Sequence, residues 1–353
     1  MASRLIKLTS LILAAFLVSV TLDVAFNNGE FSHKCLPHPF LERFEGVGEK
    51  VGEKLWKLVG VDPIRDELEK HLNSKEELSA VAPLAAQLKG ENILESAWNV
   101  VSWEDEHMTY DGTRIDPLMK SIPQILKDGK GICGDYTLLT LALLLEMNYS
   151  PLYVLAITFN DSDTGHLTAV VEHDGKFYVV DQHPPLMDLA SYYRHWAIYR
   201  VEYSNESPQH IQKAVLYKVF REGNSVKVEE IRSLSVEDFL SEDYNMTQVD
   251  IQRFSSDLLH AFSSEYVIPV DGRLEGAGER DGLPYSAVGI FVLKLPGYAD
   301  YYLPETEREL VDEVLRSVQD NGKLEEALQH STGIWLSVSI DGNDIKITLY
   351  LGR

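Results

Sequence analysis

The chain has 353 residues, 44% of them hydrophobic and 10% aromatic, with a formal charge of −23 at neutral pH. A chain of this length and composition buries a substantial core, is expected to hold two or more domains, and is not a disordered protein. The negative charge argues against a nucleic-acid partner, because phosphates would repel it.

At the amino end, Arg4 and Lys7 precede a run from Leu8 to Leu22 without a charged residue, and apolar character resumes over Val24 to Phe26. Positive residues ahead of such a run read as a signal peptide or a signal anchor. No Ala-x-Ala site follows and the run approaches bilayer length, which favours an uncleaved anchor over secretion after cleavage. Residues 1–26 are therefore expected to cross the cell membrane once, leaving the bulk of the chain extracytoplasmic. Sequons at Asn148, Asn160, Asn205 and Asn245 are compatible with export. The two cysteines, Cys35 and Cys133, imply no disulfide framework. His33, Cys35 and His38 have metal-ligand chemistry, but no second ligand cluster supports them, so neither a metal nor a cofactor is expected.

Residues 27–90 read as a helical membrane-proximal region, with apolar residues three and four apart at Leu55, Trp56, Val59, Leu68, Leu72, Leu78 and Val81. Next comes an acidic run, Glu104 to Glu106, which reads as a solvated face. The segment Gly129 to Tyr136 then runs into the apolar stretch Leu138 to Met147, so that a glycine-flanked loop delivers Cys133 to the first turn of a buried helix. The amide hydrogens and positive dipole end of a helix stabilise an anion, and the thiolate is the nucleophilic form of cysteine.

Downstream, His166 to Asp181 reads as two β-branched strands joined at Asp174-Gly175, a strong hairpin signal. With those two as loop residues, His173 faces Lys176, Thr168 faces Asp181 and His166 faces His183. His166 and Asp181 then share one face of the sheet as diagonal neighbours within hydrogen-bond reach. Cys133, His166 and Asp181 are the parts of a nucleophilic triad: Cys133 attacks a carboxamide carbon, His166 moves the proton, and Asp181 orients the imidazole. His183, on the same inferred face, is a rival or accessory to His166, and Trp103, Tyr110 and Gln182 are all open as oxyanion side chains.

The segment Gly131-Ile132-Cys133-Gly134-Asp135-Tyr136 matches a G-x-C-x-[DE]-[YF] pattern, followed by a strand-borne His and a strand-borne Asp. In this the chain resembles the transglutaminase-like branch of the papain-like cysteine enzymes, over roughly Glu91 to Pro185. The Trp98 to Tyr110 stretch ahead of the nucleophile fits the same resemblance. Two departures stand out. His166 is followed by Leu167, Thr168 and Ala169 rather than an early aromatic and acid, and Gln182-His183-Pro184-Pro185 replaces the Pro-Thr-like turn after the aspartate.

Beyond the triad, Tyr192 to Tyr203 and Ala214 to Ile231 are rich in β-branched and aromatic residues and are expected to extend or flank the catalytic sheet, the second with a turn at Glu222 to Ser225. Thr247 to Tyr266 has helical spacing. A Gly-rich charged stretch at 271–284 reads as a linker, and 285–353 as a small α+β unit of strand, helix and hairpin.

The expected fold class is α+β: a papain-like, transglutaminase-like core over 91–270, with a nucleophile helix packed on an antiparallel sheet, followed by the small C-terminal α+β domain. The resemblance implies thiol-mediated acyl transfer or hydrolysis at peptide or side-chain amides. Substrates would be proteins or peptides, such as envelope proteins or wall peptides if the chain faces outward. A silent module that binds peptides in the same groove is the alternative.

Overall fold

A computed structural model describes residues 62–353 apart from 115, 117, 161, 203–208, 242 and 277–282. Two helices open this portion, α1 (Pro63–Leu72) and α2 (Lys75–Leu88), the second capped by Ser74, whose side chain accepts the Glu77 N–H. Helix α3 (Ile93–His107) starts at Asn92, whose carboxamide oxygen accepts the N–H groups of Leu94 and Glu95. A two-residue strand β1 (Thr109–Tyr110), helix α4 (Ile122–Asp128) and strand β2 (Lys130–Gly131) lead to α5 (Cys133–Glu146).

Every residue of α5 from Gly134 to Leu145 is buried. A helix that is apolar all round has no solvent face, so it becomes the centre of a layer. Here α5 lies against α2, α3 and α4 on one side and the main sheet on the other. Each fully buried leucine on it contributes about 1.5–3 kcal/mol relative to exposure.

The main sheet is built from β3 (Leu152–Phe159), β4 (Ser162–His173), β5 (Lys176–Val180), β6 (Met187–Asp188), β7 (Ile211–Glu222) and β8 (Ser225–Leu234), with α6 (Leu189–Glu202) between β6 and β7. Its strand order is β6-β5-β4-β3-β7-β8, antiparallel throughout. The β4–β5 hairpin has the expected register, His173 opposite Lys176, with Asp174 and Gly175 as the loop. Both loop residues have positive φ, 50° and 78°, the backbone that a two-residue turn matched to strand twist requires. The pairing stops at Val180 opposite Ala169, so the expected apposition of His166 and His183 does not form.

Residues 189–202 form α6, a helix that flanks the sheet rather than extending it. Leu189, Tyr192, Tyr193 and Trp196 recur at helical spacing and pack into one cluster with Tyr153, Phe159, Val170 and Leu216. Periodicity therefore outweighs the β-propensity of single residues.

The remaining elements are α7 (Val236–Leu240), α8 (Gln248–Glu265), β9 (Val288–Leu295), α9 (Tyr298–Tyr301), α10 (Glu307–Gln319), α11 (Gly322–Gln329), β10 (Gly333–Asp341) and β11 (Asp344–Gly352). Helix α8 begins with a reciprocal cap: Thr247 Oγ1 accepts the Asp250 N–H at 3.3 Å, and the Asp250 carboxylate accepts the Thr247 N–H at 2.8 Å. Strands β9 to β11 form a second antiparallel sheet in the order β10-β11-β9, and α8 lies against β10 and α10.

The membrane expectation is corrected. Among the described residues no helix is long and apolar enough to cross a membrane, so the anchored, outward-facing location is not retained. The apolar run of 1–26 on which it rested, the cluster of His33, Cys35 and His38, the apolar positions Leu55 to Val59 and the Asn205 sequon lie outside the described residues.

Candidate active site

The first turn of α5 is organised by Asp135, which is fully buried. Its carboxylate accepts the Ile132 N–H at 3.0 Å and the Lys120 N–H at 2.8 Å, and pairs with the Arg114 guanidinium. Ile132 is held extended as the residue before the helix, so Cys133 opens it. Gly131 allows this packing: a Cβ there would sit 2.7 Å from the Asp135 Cβ, closer than two carbons can come. The acid in the G-x-C-x-D-Y segment thus ties together the loop ahead of Cys133.

Strands β4 and β5 supply the other two groups. His166 Nε2 is 2.9 Å from both Asp181 carboxylate oxygens, with both side chains about nine-tenths buried. The second ring nitrogen, Nδ1, is free of Asp181, and the Cys133 thiol lies close enough to the imidazole for each to shift the other's titration. Burial alone would push the Cys133 thiol up, but the neighbouring His166 side chain outweighs it and brings the thiol below its ordinary value. Burial works against the His166 imidazolium, and the Asp181 carboxylate overrides it and holds His166 well above its usual range. Asp181, in turn, is held below the usual carboxylate range: its burial is overcome by the His166 charge and hydrogen bond. These directions favour the thiolate, imidazolium and carboxylate forms of the three groups.

Helix α6 closes the back of this arrangement. Tyr192 donates its hydroxyl to Asp181 Oδ2 at 3.0 Å, and the Trp196 ring meets His166 edge-on with centroids 5.0 Å apart. Neither residue is among the sequence candidates, since 192–203 was expected only to extend or flank the sheet. The helical recurrence from Leu189 through Trp196 was the signal available.

Of the three oxyanion candidates, Tyr110 is the one against the nucleophile. Strand β1 pairs with β2 in parallel, Tyr110 opposite Gly131, and this brings the phenol close enough to Cys133 for the thiol's charge to act on it. Burial and the neighbouring Cys133 charge raise the phenol, so it stays protonated and able to donate. Trp103 instead stacks on His107, 4.6 Å between centroids. Gln182 occupies a left-handed turn position, φ 50°. His183 turns outward to pair with Asp105, so it is no rival to His166.

The acidic run is not uniformly solvated. Glu104 is 1% exposed, accepts the Thr140 hydroxyl at 2.8 Å through Oε1, and has its other oxygen buried without a hydrogen-bond partner. Burial raises this carboxyl to about 8, with the Asp181 charge adding to the rise. It stands as a neutral acid behind the site at neutral pH.

Residues 79–215 match a transglutaminase-like domain family model. The transglutaminase-like domain so delimited contains Cys133, His166 and Asp181, as well as Tyr110, Tyr192 and Trp196. A UPF0252 protein of Pyrococcus furiosus is 27% identical over 293 residues, covering 80% of this chain and 83% of its own. A UPF0252 protein of Archaeoglobus fulgidus is 28% identical over 309 residues, covering 80% of this chain and 87% of its own. Among solved structures, Legionella pneumophila LapG aligns with a TM-score of 0.30 and 14% identity, over 46% of this chain and 86% of that one.

Proposed function

We propose that the protein is a cysteine enzyme of transglutaminase-like fold that acts on peptide or side-chain amides through a thioester on Cys133. The observation that carries this reading is the buried His166–Asp181 pair, Nε2 2.9 Å from both carboxylate oxygens, next to the Cys133 thiol that opens α5; that neighbourhood lowers the thiol and raises the imidazole. A core built only for packing gains nothing from a buried imidazole and carboxylate beside a thiol, since each buried charge costs several kcal/mol before pairing.

In the proposed reaction the Cys133 thiolate attacks the amide carbon, and the carbonyl electron pair moves onto oxygen. In this reading the Cys133 N–H and the neighbouring Tyr110 hydroxyl are the donors to that oxyanion. The His166 imidazolium gives its Nδ1 proton to the leaving nitrogen as the C–N bond breaks, which leaves a thioester and a neutral imidazole. Water or a second amine then adds to the thioester carbon, losing a proton to His166, and the sulfur departs as thiolate. Asp181 keeps the imidazole in the tautomer that serves both halves, and Tyr192 steadies Asp181.

The test is covalent labelling of the full chain with a peptide-amide electrophile and mapping of the modified residue. We expect modification at Cys133 at neutral pH, faster than of free cysteine, and loss of that rate advantage in His166→Ala. Labelling of Cys133 no faster than free cysteine would reduce the site to a binding groove.

A further inference from the structure

Helix α6 touches the triad on one side and the C-terminal segment on the other. Toward the triad it presents Tyr192, on Asp181, and Trp196, against His166. Between them is His195, whose ring is parallel to that of Tyr192 at 6.4 Å and perpendicular to that of Trp196 at 5.8 Å. From the other side, the Ser191 hydroxyl donates to the Asp300 carbonyl at 2.7 Å, and His195 Nδ1 lies 3.1 Å from the Tyr301 hydroxyl. A second tie runs from the β4–β5 turn, where Lys176 pairs with Glu305 at 3.1 Å. The short helix α9, which follows β9 of the second sheet, therefore reaches the outer surface of the wall that holds Asp181 and His166.

We propose that Tyr301 is a positioning residue for the triad: its hydroxyl donates to His195 Nδ1, fixes that imidazole as the Nε2–H tautomer, and thereby locks the Tyr192–His195–Trp196 wall against Asp181 and His166. This deepens, and rests on, the reading of Cys133 as an activated nucleophile, and it gives the C-terminal unit a role in tuning that nucleophile. The neutral state that the tautomer requires is the one burial favours, since burial brings His195 down to about 4. The charged and titratable groups acting on it are Asp181, His166 and His183. Asp181 works against that lowering, and the two histidines add to it. With the wall in place water is kept from the thiolate–imidazolium pair, and weaker screening favours the charged pair.

The contribution is read from the pH dependence of Cys133 alkylation by iodoacetamide in the full chain, which needs no substrate. Tyr301→Phe keeps the ring and removes only the hydroxyl, while Lys176→Ala cuts the other tie without touching His195. We expect Tyr301→Phe to move the midpoint of the alkylation curve upward and slow the reaction below that midpoint about threefold, the size of one ordinary hydrogen bond. Lys176→Ala should leave the curve in place, and near-ultraviolet circular dichroism should show both variants folded. A Tyr301→Phe curve that overlies the wild type, with Cys133 still activated, would overturn the positioning role and leave the cysteine-enzyme reading intact. Equal shifts in both variants would reduce the contact to simple docking. A wild-type curve like that of free cysteine would remove the underlying reading and this inference together.

Discussion

Glu104 offers the perturbation with the best-defined magnitude. Its carboxyl rises from 4.5 to about 8 because the side chain is 1% exposed and has one hydrogen-bond partner, Thr140. For a carboxyl raised on folding, the native state holds a proton that the unfolded chain has released, so stability falls as pH climbs from the unfolded value toward the folded one. At 1.36 kcal/mol per pH unit, a rise from 4.5 to about 8 costs roughly 5 kcal/mol above pH 8 relative to mildly acidic solution, and roughly half of that by pH 6.5. Glu104→Gln keeps an acceptor for Thr140 and cannot ionise, so this part of the pH dependence should vanish. Urea unfolding of the wild type and the variant at pH 5, 6.5, 8 and 9 measures the difference directly. The variant should gain on the wild type by a few kcal/mol between the first and last of these. Parallel stability curves would refute the claim that Glu104 is neutral in the folded protein and would place its carboxyl in contact with water.

Three further outcomes are expected. Asp181→Asn should cost several orders of magnitude in labelling or turnover at Cys133, because the neutral amide neither holds the imidazolium nor selects its tautomer. Because the Asp181 carboxyl is lowered on folding, the stability it adds is present above its unfolded value and lost as pH falls through its folded one, so the gap between this variant and wild type should close on acidification. Asp135→Ala should destabilise the chain by about 3–5 kcal/mol in denaturant unfolding, since it strands the buried Arg114 charge and two backbone donors. Tyr110→Phe should lower kcat by about 10²-fold with little change in KM, once a substrate is in hand, if its hydroxyl meets the oxyanion. An unchanged kcat would return that role to the backbone N–H alone.

The Cys133 segment and the His166–Asp181 pairing were legible because each depends on short-range geometry. A glycine-flanked cysteine ahead of an apolar run has few conformations other than a helix start, and a two-residue Asp-Gly turn sets which residues share a strand face. Parity then carried His166 and Asp181 to one side, where the structure has them 2.9 Å apart. It failed two residues further on. The strand ends at Val180, after which Gln182 takes a left-handed backbone and His183 leaves for Asp105.

What tertiary structure alone decided is whatever required knowing which helix lies behind which strand. Nothing local distinguishes Glu104 from Asp105 and Glu106 as the buried member of an acidic run; only the packing of α3 against α5 puts it on Thr140. The same holds for Tyr110, brought to the nucleophile by a two-residue parallel pairing with β2, and for Tyr301, whose hydroxyl meets His195 across 106 positions of chain. A sequence records periodicity and turn chemistry directly, because both act over a few residues. Contacts between distant segments emerge only when apolar faces choose partners, and this choice depends on the shape of the whole core.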